Sequence, residues 1–277
     1  MSNQLLYYKM VVPVTSERHG DLYVKASSDY EFARHSNSVP VMAVEFPSAA
    51  LEYPLVFAGN DEAIMPLAIL GAEADENRFV DDQGAWNAKH IPAFVRRYPF
   101  VFSKSEDGDK FFLCIDEKYS GCNREGRGER LFDSDGERTQ YLGGVLNFVK
   151  EYQVQFNRTK LFCEKLRELD LLEPMQAQFK LPSGQQKSLT GFMAINRDKL
   201  KALPADKLSE LAKTDELELI YIHLQSMKNF SAMLARNTGE AGEGGAQETK
   251  AEAKTEAKTE AKSKAKAKTN GSAKKTA

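Results

Sequence analysis

The sequence predicts an α+β protein: a mixed or antiparallel sheet from the N-terminal half, packed by long helices from the C-terminal half, with a disordered tail. Three observations lead there. Short β-rich runs broken by turn residues fill the chain to about residue 132. Apolar residues then recur at three- and four-residue spacing over residues 133–237. From residue 238 the chain is built mainly of Ala, Lys, Glu, Gly and Thr. The division is one domain, 1–237, strand-rich over 1–132 and helix-rich over 133–237, and a tail, 238–277.

In the first part, residues 21–25, 39–46, 54–57 and 110–115 carry the β-formers, and Gly59-Asn60-Asp61 and Glu106-Asp107-Gly108-Asp109 mark turns. Short helical turns are expected at 48–53 and 92–97. Ser134-Asp135-Gly136-Glu137 matches a capping box. After it Leu142, Val145, Val149, Tyr152, Phe156, Cys163, Leu166 and Leu169 outline one amphipathic helix of roughly thirty residues. Gly143 and Gly144 weaken its start, and Pro174 is read as its end. A hairpin follows, 176–181 with 187–195, joined through Pro182-Ser183-Gly184. Short helices at 197–203 and 204–213 precede a last helix, 215–236, whose opening acids Asp215, Glu216 and Glu218 suit the positive end of its dipole.

The tail repeats Glu252, Glu256, Glu260 and Lys254, Lys258, Lys262 at four-residue spacing, which stacks like charges on each face of any helix. With no apolar stripe to bury, it is expected to stay disordered. Its nine Lys and six Glu leave 29 basic and 34 acidic residues in the body. An acidic body lacks the basic face of a nucleic-acid-binding domain, so nucleic acid is expected to bind weakly at most, through the tail.

With 42% hydrophobic and 28% charged residues, the composition excludes a transmembrane protein and a wholly disordered chain. Cys114, Cys122 and Cys163 are an odd number without a C-x-x-C pair, which favours free thiols in a reducing compartment. Cys114 and Cys163 fall on apolar runs, whereas Cys122 sits in a Gly-rich loop and is expected to be the exposed one. The amino terminus lacks a basic region followed by an apolar stretch, so a Sec signal is not expected and the default location is cytoplasmic.

Strong catalytic signatures are missing: there is no phosphate-binding G-x-x-x-x-G-K-[ST], no H-E-x-x-H and no G-x-S-x-G. His19, His35 and His90 are scattered, and His223 lies on a helix's apolar face, where a core role is expected. Asp133-Ser134-Asp135-Gly136 reads as a turn, because a calcium loop in that register would begin at Leu131. Asn123 to Arg130, with three Args and two Glu, reads as a solvated loop. No metal and no cofactor is implied.

The segment most suited to recognition is Trp86 to Phe100, which gathers the only Trp, His90, the adjacent Arg96 and Arg97, and Tyr98. Aromatic and arginine side chains are enriched where proteins bind partners. Arg96 and Arg97 differ by about 100° around a helix axis, so one can face an internal carboxylate and the other solvent or a ligand. Phe94 and Tyr98, four apart, should share a face.

These stretches also resemble a known family. Glu45-Phe46, Tyr53-Pro-Leu-Val-Phe57, Glu76-Asn77-Arg-Phe79, Gly84-Ala-Trp86 and Ile91-Pro-Ala-Phe-Val-Arg-Arg-Tyr-Pro-Phe100 resemble the bacterial SapC family, as do Leu131-Phe132, Leu189-Thr-Gly-Phe-Met-Ala-Ile195 and Leu219-Ile-Tyr-Ile-His-Leu-Gln-Ser226. The resemblance spans roughly residues 5–236 and leaves the tail outside. It implies a non-catalytic binding or assembly protein associated with the surface (S-) layer or cell envelope, an accessory role, and a surface location reached by a route other than Sec. The expected partners are an S-layer or envelope protein, or a small anionic or aromatic ligand held by Trp86, Arg96, Arg97, Tyr98 and His90. The alternative is an enzyme of unrecognised type acting on a small carboxylate or aromatic metabolite, with Arg96 and Arg97 as a carboxylate clamp and His90 or Glu45 as titratable neighbour.

Overall fold

Leu55, Val56 and Phe57 form an apolar run wholly shut away from solvent, as befits a strand covered on both faces. In the computed structural model, which describes residues 5–60, 63–104, 111–180 and 186–236, this run lies in the middle strand of a five-stranded sheet. The strands, in chain order, are β1 (Val11–Pro13), β2 (Tyr23–Val24), β3 (Ser38–Pro40), β4 (Leu55–Gly59), β5 (Ile64–Ile69) and β6 (Phe100–Lys104). They continue with β7 (Phe111–Asp116), β8 (Cys122–Asn123), β9 (Glu129–Arg130), β10 (Leu172–Lys180) and β11 (Gln186–Ile195). They pair antiparallel into three sheets, ordered β10-β11-β4-β5-β3, β1-β7-β6 and β8-β2-β9. The helices are α1 (Ser16–His19), α2 (Phe46–Ala49), α3 (Ala93–Arg96), α4 (Gln140–Glu168), α5 (Arg197–Lys201), α6 (Ala205–Lys213), α7 (Glu216–Ser226) and α8 (Asn229–Ala235).

The protein is α+β, as the sequence predicts, but the main sheet is not confined to the N-terminal half. The late hairpin β10–β11 completes it, with Met193 opposite Phe57. Several boundaries also differ. The run 39–46 is a strand only to Pro40; the Met42 amide is taken by a Glu45 carboxylate oxygen at 3.0 Å, which starts a 3-10 turn, Ala43–Glu45, and then α2. That places the expected turn at 48–53 two residues early. Strands β1, β5, β6, β8 and β9 are additions, β5 because Pro66 disguises it, β8 and β9 because the Gly-rich stretch 121–130 reads as a loop yet pairs with β2 on both sides.

The 29-residue α4 is the long helix of the sequence. Its cap is Thr139, whose Oγ1 accepts from the Leu142 amide at 3.3 Å, and not the box at 134–137. There, Asp133 Oδ1 accepts from the amides of Asp135 and Glu137, which closes a turn. The helix ends at Glu168, followed by Asp170 in the left-handed region at φ 51°. Pro174 instead lies in β10, an edge strand, where a residue without an N–H is tolerated.

The last helix is broken into α7 and α8. Ser226 Oγ donates to the His223 carbonyl three residues back and accepts from the Leu55 amide, and Asn229 Nδ2 donates to the carbonyls of Ala50 and Tyr53. These buried polar contacts with backbone outside the helix replace its continuity. The Pro182-Ser183-Gly184 turn and the tail 238–277 lie outside the described residues.

Two apolar clusters result. Phe46, Tyr53, Phe57, Phe162, Leu166 and Ile220 belong to the larger, and Leu22, Phe100, Ile115, Leu131, Leu142 and Val149 to the smaller. The helix α4 feeds both, and its Phe148 packs against both. Among the described residues no helix is long and apolar enough to cross a membrane.

Candidate functional site

The turn α3 owes its position to Glu45. This carboxylate is 7% exposed, and its Oε1 accepts from the Ala93 amide at 2.7 Å and lies 3.0 Å from His90 Nε2. Glu52 takes the amides of Lys89 and His90. The approach to α3 is therefore fastened by two acids before Arg96 and Arg97 are reached.

The two arginines diverge. Arg97 is 3% exposed, its guanidinium carbon 4.4 Å from the Phe94 ring centre and 4.6 Å from that of Tyr152. Arg96 is exposed; its Nε donates to the Ile91 carbonyl at 2.9 Å and its guanidinium lies 5.3 Å over Phe148. The helical spacing anticipated the divergence, but where a carboxylate was expected for the inward guanidinium, the faces it meets are the Phe94 and Tyr152 rings. Phe94 and Tyr98 do share a neighbour, Tyr7, at 5.7 and 6.3 Å between ring centres.

Beside this turn opens a cleft of about 660 Å³. One wall is the chain from Val24 to Phe32, the floor runs from Val95 to Phe100 with Tyr119, and the other wall is the first turns of α4, from Gln140 to Val149. Aromatic rings dominate it: Tyr30, Phe32, Tyr98, Tyr119, Tyr141 and Phe148 all line it. They brace one another, Phe32 against Tyr98 at 4.4 Å and Tyr98 against Tyr119 at 5.3 Å. The Tyr98 hydroxyl donates to Asp116 Oδ2 at 3.2 Å, and burial together with that carboxylate pushes its pKa up. Asp116 has no exposure and also accepts from the amides of Lys9, Met10 and Lys118, so Tyr98 is held by a fixed anchor. Burial likewise raises Tyr141, to about 12, with the Glu129 charge among the smaller contributions.

Of the five residues singled out in the sequence, Arg96, Arg97 and Tyr98 line the cleft, and Trp86 and His90 do not. Trp86 is 8% exposed; its indole donates to the Tyr53 hydroxyl at 2.9 Å, and its ring lies 5.8 Å from Tyr30. It backs the cleft wall from one layer behind. His90 is occupied by Glu45, and its carbonyl accepts from the Tyr53 hydroxyl. The other walls escaped the sequence. One signal was present: Tyr141, Gly144, Val145 and Phe148 share a helix face, and a Cβ built on Gly144 meets nothing within 4 Å. The glycine that weakens the helix keeps the cleft open.

The remaining candidates are tied into structure. His19 lies against Glu117, His35 against Asp75, and His223 accepts from the Ile195 amide. Arg124 pairs with Asp21, Arg127 with Glu125, and Arg130 bonds the Gly20 carbonyl. Cys122 lies in strand β8 rather than a loop; it is half-buried and, as expected, the most accessible of the three cysteines, and burial pushes its thiol to about 11. Among the described residues no group of three His, Cys, Asp or Glu is placed to hold a metal ion.

The family model for SapC matches residues 14–233. No curated protein and no solved structure matches the chain.

Proposed function

Because the chain belongs to the SapC family, we propose that it is a binding or assembly protein of the bacterial cell envelope, holding a partner polypeptide in the aromatic cleft and catalysing no reaction of its own. An S-layer or other envelope protein is the partner that the resemblance favours, and the site of action is the envelope. One observation carries the reading. The cleft combines ring faces with a guanidinium at its rim, and its parts are braced from behind by Asp116, Ile91 and Trp86. Rigid aromatic and arginine side chains held in advance lower the ordering cost of binding.

Gly144 permits a direct test. Gly144→Leu projects a side chain into open space while improving helix propensity by about 0.5–1 kcal/mol. Gly143→Ala gives a similar propensity gain at a position that does not line the cleft. Immobilised protein should retain S-layer or outer-membrane proteins, identified by mass spectrometry, from solubilised envelopes. Retention should vanish in Gly144→Leu and persist in Gly143→Ala. Retention surviving in both variants overturns the reading.

A second reading draws on volume. The cleft falls within the ~300–1,000 Å³ range of small-molecule sites and is lined by both arginines. It makes the protein an enzyme for a small carboxylate or aromatic metabolite. Turnover of such a compound, abolished by one cleft substitution, would replace the binding reading.

A further inference from the structure

The cleft is electrically divided. At one end Arg96 lies over Phe148, in the third turn of α4. Toward the other, Glu129 lines the wall beside Gln140 and Tyr141; its neighbour Arg130 accepts from Thr139 at the helix cap, and its charge reaches the Tyr141 hydroxyl. Asp29 lines the same half and acts on Tyr119. This half therefore offers carboxylates among tyrosine faces, the surroundings that attract an organic cation. The Arg96 end suits a carboxylate.

From Gln140 to Phe148 the helix rises about 12 Å, which sets the separation of the two poles. A free amino acid spans only about 2.5 Å between amine nitrogen and carboxylate carbon and cannot reach both. An extended peptide covers 12 Å in about four residues. The remaining rings, Tyr30, Phe32, Tyr98 and Phe100, leave room for aromatic or aliphatic side chains but supply little charge.

We infer that the segment held in the cleft is an extended, dipolar stretch of about four residues, with a basic side chain among Asp29, Glu129, Tyr119 and Tyr141, a carboxylate at Arg96 and aromatic side chains between. This rests on the binding reading above and specifies its partner's chemistry.

The test uses the full chain and three acetylated, amidated tetrapeptides, Lys-Phe-Tyr-Asp, Lys-Phe-Tyr-Lys and Asp-Phe-Tyr-Asp, followed by titration calorimetry at low salt. The dipolar peptide should bind up to about fivefold more tightly than either of the others, the size of one exposed charge pair. Arg96→Glu should reverse the preference toward Lys-Phe-Tyr-Lys, and Glu129→Lys toward Asp-Phe-Tyr-Asp. Both side chains are exposed, and melting curves identify any variant that fails to fold. Gly144→Leu should abolish all binding. Equal affinities for the three peptides, no binding of any, or rankings unmoved by both charge reversals overturn the inference. If envelope retention is still lost in Gly144→Leu, the binding reading stands and only the dipolar specification falls. If retention survives there, the binding reading itself falls.

Discussion

His223 Nε2 accepts a hydrogen bond from the Ile195 amide at 3.1 Å, in a site without solvent exposure, and so ties α7 to the hairpin strand β11. An acceptor nitrogen carries no proton, and burial depresses the pKa of this ring to about 4.

Stability should therefore fall between pH 6.5 and about 4. Above 6.5 the ring is neutral in both states and contributes no slope. Below it the unfolded chain binds a proton that the folded chain refuses, which costs about 1.4 kcal/mol per pH unit and about 3 kcal/mol in all. Glu117, held at about 2 chiefly by its hydrogen bond from Arg18, loses its contribution at lower pH, below the ordinary carboxylate range. Urea unfolding across pH 7.5–4 should show the slope shrink in His223→Gln; an unchanged slope refutes the assignment to His223.

Arg97 and Arg96 should separate in melting experiments. Arg97→Ala removes a buried cation from between two rings and should cost about 2–4 kcal/mol. Arg97→Lys should recover only part, lacking the planar face. Arg96→Ala should stay within about 0.5 kcal/mol of the parent. Equal melting of all three would show that the stacking adds nothing.

Glu45→Ala should be costly, because it strands the amides of Met42 and Ala93 and the His90 ring. A loss of about 3 kcal/mol is expected. Faster hydrogen exchange at Ala93, whose amide begins α3, distinguishes this local release from general destabilisation.

The three cysteines should label slowly in the native state. Burial raises all three thiols, Cys163 to about 12 and Cys122 to about 11. A chromogenic disulfide reagent at pH 8 should react with all three after denaturation and with few before it. Rapid native labelling of Cys122 would place it in open solvent.

The helix α4 was legible because its apolar spacing is local, and the divergence of Arg96 and Arg97 because helical geometry fixes it. The cleft was only half legible. Tyr30 and Tyr141 face one space from more than a hundred residues apart, and no local pattern joins them. Trp86 attracted a ligand role by its rarity, yet Tyr53 already uses its indole N–H. The broken last helix followed from Ser226 and Asn229 bonding backbone outside their own helix, a choice set by tertiary packing.

The order in which the chain is made matters for the main sheet. Strand β4 emerges early from the ribosome, but its neighbour β11 begins only at Gln186. Until then the nascent chain carries Leu55, Val56 and Phe57 along a sheet edge with no partner on that side, the kind of edge on which chains join one another. The hairpin, whose strands are the last to join the sheet, is thus also its seal, and a chain cut short before it loses its cover against self-association.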